Sequence, residues 1–191
     1  MTRMTSHCEL SFITGSSQTS LDVTMGRACS SGSSREISAD RVYRELVPFG
    51  PAYRTLYGQL FLEQTSAWGS LQAPELPHAA PDLIGSPFPL DGAMHAACVH
   101  GQQLVDFVPF PVGFATRSIP LPTLSGEQYL TQVHLQSQAA DELIYDLLIV
   151  DQKEQIRETI TGLRMRDVSG GRVRPPAWIQ SVPGEENGGT E

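Results

Sequence analysis

From residue 128 onward the chain alternates apolar and polar positions. Gln128 to Gln136 places Tyr129, Thr131, Val133 and Leu135 on one face. Leu143 to Asp151 is a nearly continuous apolar run. After a turn at Gln152 to Glu154 the alternation resumes from Gln155 to Val168, with Ile156, Ile160, Leu163 and Met165 as its apolar positions. Period two with short connections predicts long strands in an antiparallel meander. The pattern is different upstream. Between about Leu90 and Val105 the residues Leu90, Ala93, Met94, Ala97, Val99 and Leu104 form a broad apolar surface with almost no charge. That composition predicts a helix buried on most of its sides, not an amphipathic surface helix. Gly92 and Gly101 keep two of its positions small.

The remaining segments are shorter or broken. Ser38 to Val47 reads as a short helix with Ser38 as N-cap and Pro48 as its stop. Phe49-Gly50-Pro51-Ala52-Tyr53 is a turn. Thr55 to Gln72 reads as one extended segment with Leu60, Leu62 and Trp68 as core candidates. Ala73 to Pro89, with prolines at 74, 77, 81, 87 and 89, is an ordered loop that leads into the helix. Phe107 to Pro111 turns the chain out of it. Glu9 to Thr14 and Ser20 to Ala28 are candidate strands, and Cys29 to Arg35 a flexible link. Arg174 to Ile179 is a candidate for local docking, with a disordered tail after Pro183. The resulting division is residues 1–36 as N-terminal strands and link, 37–168 as the folded domain, and 169–191 as a tail. A long apolar helix followed by an antiparallel meander must hide the helix against the sheet. The expected architecture is therefore α+β, a hot-dog fold with the sheet around a central helix.

Composition narrows the function. The chain has 191 residues and a formal net charge of −8, enough for one core of useful size. An acidic chain without a basic block carries no electrostatic footprint for nucleic acid or an anionic membrane. No window approaches the roughly 18 apolar residues of a membrane helix. The first residues lack the apolar core of a secretory signal. Three cysteines without a Cys-x-x-Cys pair fit a reducing cytoplasm, and Cys98 reads as a small core residue.

Asp91 opens the helix and His95 follows one turn later, so the two share a face. A carboxylic acid against apolar side chains holds its proton to higher pH, whereas a helix N-terminus favours the carboxylate. An acid at that position is also a common first-turn residue. His95 could orient the carboxyl, or be a satisfied core histidine. An Asp-x-x-x-His pair can ligate a metal, but no third ligand has convincing spacing, and no metal is expected. His100 falls on another face and reads as structural or exposed. Tyr43, Tyr53 and Tyr57 read as core residues.

Three local patterns, in order, resemble the C-terminal half of a polyketide synthase dehydratase domain, a family with a double hot-dog fold. Phe49-Gly50-Pro51-Ala52-Tyr53 is similar to the family's Tyr-Gly-Pro-x-Phe turn with its aromatics exchanged. Ser86-Pro87-Phe88-Pro89-Leu90-Asp91-Gly92-Ala93-Met94-His95 is similar to its His-Pro-x-Leu-Leu-Asp-x-x-x-His/Gln helix start. Val108-Pro109-Phe110 is similar to its Leu/Val-Pro-Phe turn, and Gly162 to Arg166 resembles its closing strand. The resemblance spans about residues 38–168. It implies that Asp91 protonates the leaving β-hydroxyl of a 3-hydroxyacyl thioester, with His95 beside it. It implies substrate contacts from Phe49, Gly50, Pro51, Pro87, Leu90, Pro109 and Phe110. It further implies a substrate carried on phosphopantetheine by an acyl carrier protein, with no other cofactor.

The departures are as informative. The family's first half supplies a histidine in a His-x-x-x-Gly-x-x-x-x-Pro motif. Here the residues four positions after His7, His78, His95, His100 and His134 are Ser11, Asp82, Val99, Leu104 and Gln138. Ser86 stands where the family has His, and Phe49 where it has Tyr. The chain is thus expected to need a partner subunit, as a homodimer or in a complex with a synthase component. A non-catalytic acyl-binding or bracing hot-dog, and a thioesterase-type hot-dog dimer acting on acyl-CoA, are the alternatives.

Overall fold

The computed structural model describes residues 34–75 and 86–180, together with Ser11. The candidate strands at 9–14 and 20–28, most of the link at 29–35, much of the proline-rich loop and the tail from 181 lie outside the described residues. The chain divides into two units, Met1–Ser31 and Gly32–Glu191. The elements that follow belong to the second, and its first strand lies across the expected boundary at residue 36.

Among the described residues one antiparallel sheet of eight strands carries the fold. In chain order they are β1 (Arg35–Ser38), β2 (Leu56–Leu62), β3 (Ser66–Gln72), β4 (Phe110–Gly113), β5 (Thr116–Ser118), β6 (Gln128–Gln138), β7 (Glu142–Asp151) and β8 (Ile156–Arg166). Their order across the sheet is β1-β2-β3-β6-β7-β8-β4, with β5 also on β8. The meander predicted from residue 128 is present as β6, β7 and β8. Thr55 to Gln72 is not one extended segment but a hairpin, since Gln64 and Thr65 turn the chain between β2 and β3. Leu60 and Leu62 are buried as expected. Trp68 is 41 % exposed and stacks on Phe61, its neighbour across the strand pair, with ring centroids 3.9 Å apart. Two aromatics facing each other on an outer face cover one another without reaching the core.

β8 changes its buried parity halfway. Ile160 pairs with Leu147, but Leu163 pairs with Tyr145, so Thr161 and Gly162 together oppose Asp146 alone. Gly162 has φ +63°, and its N–H donates to Asp146 Oδ1 at 2.9 Å. This bulge turns Leu163 and Met165 back to the core face, which Ile160 holds before it. A second irregularity, between Ile149 and Val150, leaves Ile156 exposed, against expectation. β4 and β5 are short edge strands, the first beginning within the turn read at Phe107 to Pro111 and the second in a stretch for which the sequence predicts no element. Pro111 sits in the first of them, where an edge position makes no demand on the missing N–H.

The short helix predicted from Ser38 begins one residue later. Ser38 ends β1 and caps α1 (Ala39–Arg41), its Oγ accepting from Arg41 N–H. The chain then widens to a π turn over Val42–Leu46, ending before Pro48. The long helix α2 (Phe88–Gln102) starts two residues before Leu90 and ends before Val105. It packs on β2, β3, β6 and β7. Ala93, Ala96, Ala97 and Val99 are completely buried there against Leu71, Tyr129, Val133, Leu143 and Tyr145. Gly92 is required for this approach, because a Cβ there would lie 2.3 Å from Thr55 Oγ1 and 2.8 Å from Leu71 Cδ2. Near the C-terminal end, α3 (Ala177–Gln180) docks beside β1. Ile179 is buried and the Arg41 guanidinium lies 3.6 Å from the Trp178 ring centroid. A long helix against an antiparallel sheet is the expected α+β hot-dog. Among the described residues no helix is long and apolar enough to cross a membrane.

Candidate active site

Pro87 and Pro89 start α2 without a side-chain cap, and Asp91 occupies the first turn. Asp91 N–H donates to Pro87 O at 3.1 Å. With Tyr53, Phe88, Leu90 and Met94, Pro87 and Asp91 line a cleft of about 330 Å³. Leu90 and Pro87 therefore stand where the sequence placed them. Tyr53, Phe88 and Met94 join them without having been foreseen as site residues.

The turn at Phe49 to Tyr53 closes the site from the other side. Tyr53 N–H donates to Gly50 O at 3.0 Å, so Gly50 and Pro51 form the backbone of a tight 3-10 turn. Phe49 lies over the His95 ring, centroids 4.8 Å apart and nearly parallel. Tyr53 reaches Phe88 at 6.0 Å. Pro109 is elsewhere. It packs at Gly101, where a Cβ would lie 2.8 Å from Pro109 Cγ, and Gly101 is about 15 Å along the helix from Asp91. Phe110 pairs with Arg166 on β8. The structure does not bring Pro109 or Phe110 to the cleft at Asp91. Ser86 is buried, with its N–H on Thr123 O and its carbonyl accepting from Thr123 Oγ1.

His95 Nε2 stands 3.3 Å from Asp91 Oδ2, with the His side chain 5 % and the Asp side chain 37 % exposed. The two atoms are misaligned, and neither makes a formed hydrogen bond in this conformation. Each is a buried polar atom whose nearest partner is the other. Such an atom costs about 1–3 kcal/mol while unsatisfied, and a small rotation of the carboxyl would satisfy both. Burial of Oδ2 leaves Oδ1 as the oxygen available to a ligand.

Burial sets the electrostatics of the site. Burial raises the Asp91 pKa above the ordinary carboxylate range, so desolvation outweighs the helix N-terminus that favours ionisation. Burial lowers His95 to about 4. An acid biased by burial toward its protonated form, beside a neutral imidazole, suits general-acid catalysis. Tyr43, read from the sequence as a core residue, is buried but also reaches the site. Its hydroxyl lies 3.3 Å from His95 Nδ1 and accepts from Leu56 N–H at 2.8 Å. The available signal was chemical, since a buried tyrosine hydroxyl needs a partner. Among the described residues no group of three or more His, Cys, Asp or Glu could hold a metal.

The chain matches over residues 25–175 the family model described as PS-DH, polyketide synthase dehydratase N-terminal domain. Among solved structures it is similar to the dehydratase domain of PpsC from Mycobacterium tuberculosis, solved in complex with C12:1-CoA, at 17% identity and TM-score 0.58. That alignment covers 70% of this chain and 52% of the other. It is similar to the bifunctional dehydratase-cyclase domain in ambruticin biosynthesis at 20% identity and TM-score 0.56, covering 70% of this chain and 47% of that one. The dehydratase domain of RzxB from Pseudomonas fluorescens gives 16% identity and TM-score 0.54, with 70% and 50% covered. The chain thus spans about half the length of these domains. Among curated proteins none matches it. The matching model is described as the N-terminal domain, whereas the motifs at Asp91 resemble the family's C-terminal half. The chain belongs to the polyketide synthase dehydratase family.

Proposed function

We propose that this chain is one hot-dog of a dehydratase acting on a 3-hydroxyacyl thioester carried on phosphopantetheine, and that it contributes the acid half of the site. The observation that carries the proposal is the position of Asp91 at the wall of an open cleft, with His95 Nε2 3.3 Å behind it and with burial biasing the carboxyl toward its protonated form. The Asp91 motif resembles that of the family's C-terminal half, although the matching family model is described as the N-terminal domain. In the reaction a base removes the α-proton of the substrate. Asp91 gives its proton from Oδ1 to the β-hydroxyl, the C–O bond breaks, and an enoyl thioester and water leave. His95 faces Oδ2 and supports the carboxylate that results. The base comes from a second hot-dog, in a homodimer or a synthase component, because no histidine here has the family's motif. The acyl-CoA bound to the PpsC domain supports a thioester ligand.

The test is dehydration of a 3-hydroxyacyl carrier-protein substrate by the full chain, alone and with its synthase partner. Turnover that Asp91→Asn abolishes supports the reading. Absence of turnover in both settings sinks it. A second reading, an acyl-binding or bracing module without chemistry, draws on Ser86, where the family has His and where this chain has a residue tied into the fold by Thr123. It predicts binding of acyl-pantetheine, or a stable synthase complex, with Asp91→Ala harmless.

A further inference from the structure

The geometry points to Tyr43 as a positioning residue of this site: its hydroxyl fixes His95 in the tautomer that carries the proton on Nε2, facing Asp91 Oδ2. The inference rests on the reading of Asp91 as the acid for its catalytic meaning, but its geometric content stands alone. A phenol has one O–H to give and lone pairs to fill. Leu56 N–H, at 2.8 Å, fills one lone pair of Tyr43 Oη. His95 Nδ1, at 3.3 Å, is the acceptor for its proton. Thr55 also comes near the hydroxyl, yet its Oγ1 makes no formed hydrogen bond. Burial raises the Tyr43 pKa, with a small further push from Asp91, so the O–H is kept as a donor. The Arg54 guanidinium sits 5.9 Å from the ring centroid and stacks on the ring face rather than on the hydroxyl's side of the network.

The consequence follows from the chemistry of a neutral imidazole. If Nδ1 accepts, Nε2 carries the hydrogen. A donor is then aimed at the oxygen of Asp91 that must hold negative charge once the acid has given up its proton. The opposite tautomer would present a lone pair to Oδ2 and draw the proton of Asp91 inward, away from the cleft. Tyr43 belongs to the π turn before the Phe49 loop and His95 to α2, so the contact also locks the loop side of the cleft to the helix. Tyr43 does not line the cleft at Asp91 and acts only through His95.

The experiment is 15N NMR of the His95 imidazole in the full chain, which distinguishes a protonated from an unprotonated ring nitrogen. At neutral pH the wild type is expected to show Nε2 protonated and Nδ1 bare. Tyr43→Phe is expected to yield a mixture of tautomers. Thr55→Val, which removes an unpartnered oxygen, is expected to leave the tautomer unchanged. A proton on Nδ1 in the wild type overturns the proposal whether or not any variant folds. So does an unchanged tautomer in folded Tyr43→Phe, or a changed one in Thr55→Val. With the partner present, Tyr43→Phe is expected to lower kcat by about tenfold to a hundredfold with KM unchanged, the usual effect of removing a group that fixes a functional histidine. An unchanged kcat also overturns the proposal. Absence of wild-type turnover would instead sink the dehydratase reading and leave the tautomer measurement to decide this one.

Discussion

Two histidines of α2 carry the same kind of partner, put to opposite uses. At the middle of the helix His95 meets the hydroxyl of Tyr43; five residues on, near its end, His100 meets the hydroxyl of Tyr145 at 3.0 Å. Both imidazoles are buried, and burial lowers both to about 4. The second nitrogen separates them. His100 Nε2 lies 3.1 Å from Glu63 O, so it donates there and its Nδ1 accepts from Tyr145. Every polar atom of that ring is satisfied. His95 Nε2 faces Asp91 Oδ2 with neither atom satisfied, beside a cleft. A buried histidine with two partners is structural. One whose second nitrogen faces a half-buried acid without a formed bond breaks the rule that buried polar groups are partnered, which is where a functional site is sought.

The strongest way to break this contrast is to remove the acid. Asp91→Asn keeps the shape of the side chain and the fold around it. Turnover is expected to fall by about 10²–10⁴, the usual contribution of a positioned acid or base. Chemical denaturation is expected to show no loss of stability, because the native state no longer has to desolvate the carboxyl. A large stability loss with turnover retained would make Asp91 a structural residue like those at the other end.

Acid should weaken both histidine sites alike. His95 and His100 are neutral in the fold down to about pH 4, whereas unfolded histidine takes up a proton near pH 6.5. Between those values the unfolded chain binds more protons, so stability rises with pH. The contribution is complete above about pH 6.5 and is lost as pH falls toward 4, on the order of 3 kcal/mol per histidine. Asp91 runs the other way, because its raised pKa lets the fold bind a proton first and partly offsets the loss. Denaturation midpoints across this range for His95→Gln and His100→Gln should each show a shallower acid slope. His100→Gln should also lower stability at neutral pH, since it disturbs a satisfied network. Equal neutral-pH losses for both variants would erase the distinction between the two histidines.

The fold was legible in the sequence and the site was half legible, for physical reasons. Period-two alternation located β6, β7 and β8, and the low charge of α2 showed that it is buried. Parity alone could not show the bulge at Gly162, although a glycine inside a strand is the usual sign of one. The β2–β3 hairpin was missed because Gln64 and Thr65 carry no glycine or proline. Asp91, His95, Pro87 and Leu90 lie in one contiguous motif, so the sequence alone groups them. Tyr43 was missed because its link to His95 bridges 52 residues, and no local spacing carries such a contact. Pro109 and Phe110 were placed at the site by motif order, but order along the chain does not measure distance along a helix.

Two glycines set how tightly each end packs. At Gly101 a Cβ would lie 2.7 Å from Leu143 Cδ1 and 2.8 Å from Pro109 Cγ; at Gly92, 2.3 Å from Thr55 Oγ1. Overpacking of this kind costs about 1–3 kcal/mol. Gly101→Ala is expected to lower stability without touching the His95 tautomer or the cleft. Gly92→Ala is expected to lower stability and also to shift the His95 NMR signals, because Thr55 and Asp91 adjoin it. A Gly101→Ala variant that moved the His95 signals would mean the two ends are coupled through the helix.

The smallest effect concerns the lid over His95. Phe49 is 41 % exposed, yet it stacks on the ring, and such a pair is worth about 0.5–1.5 kcal/mol. Phe49→Ala is expected to cost no more than that in stability. The loss should appear mainly in titration. Burial is what holds His95 near 4, so opening one face to water should move its pKa back toward 6.5, readable by NMR. His100 has no comparable exposed cover, and its pKa should not move. A His95 pKa that stays near 4 in folded Phe49→Ala would show that the ring is desolvated from the helix side. His95 would then be as closed in as His100.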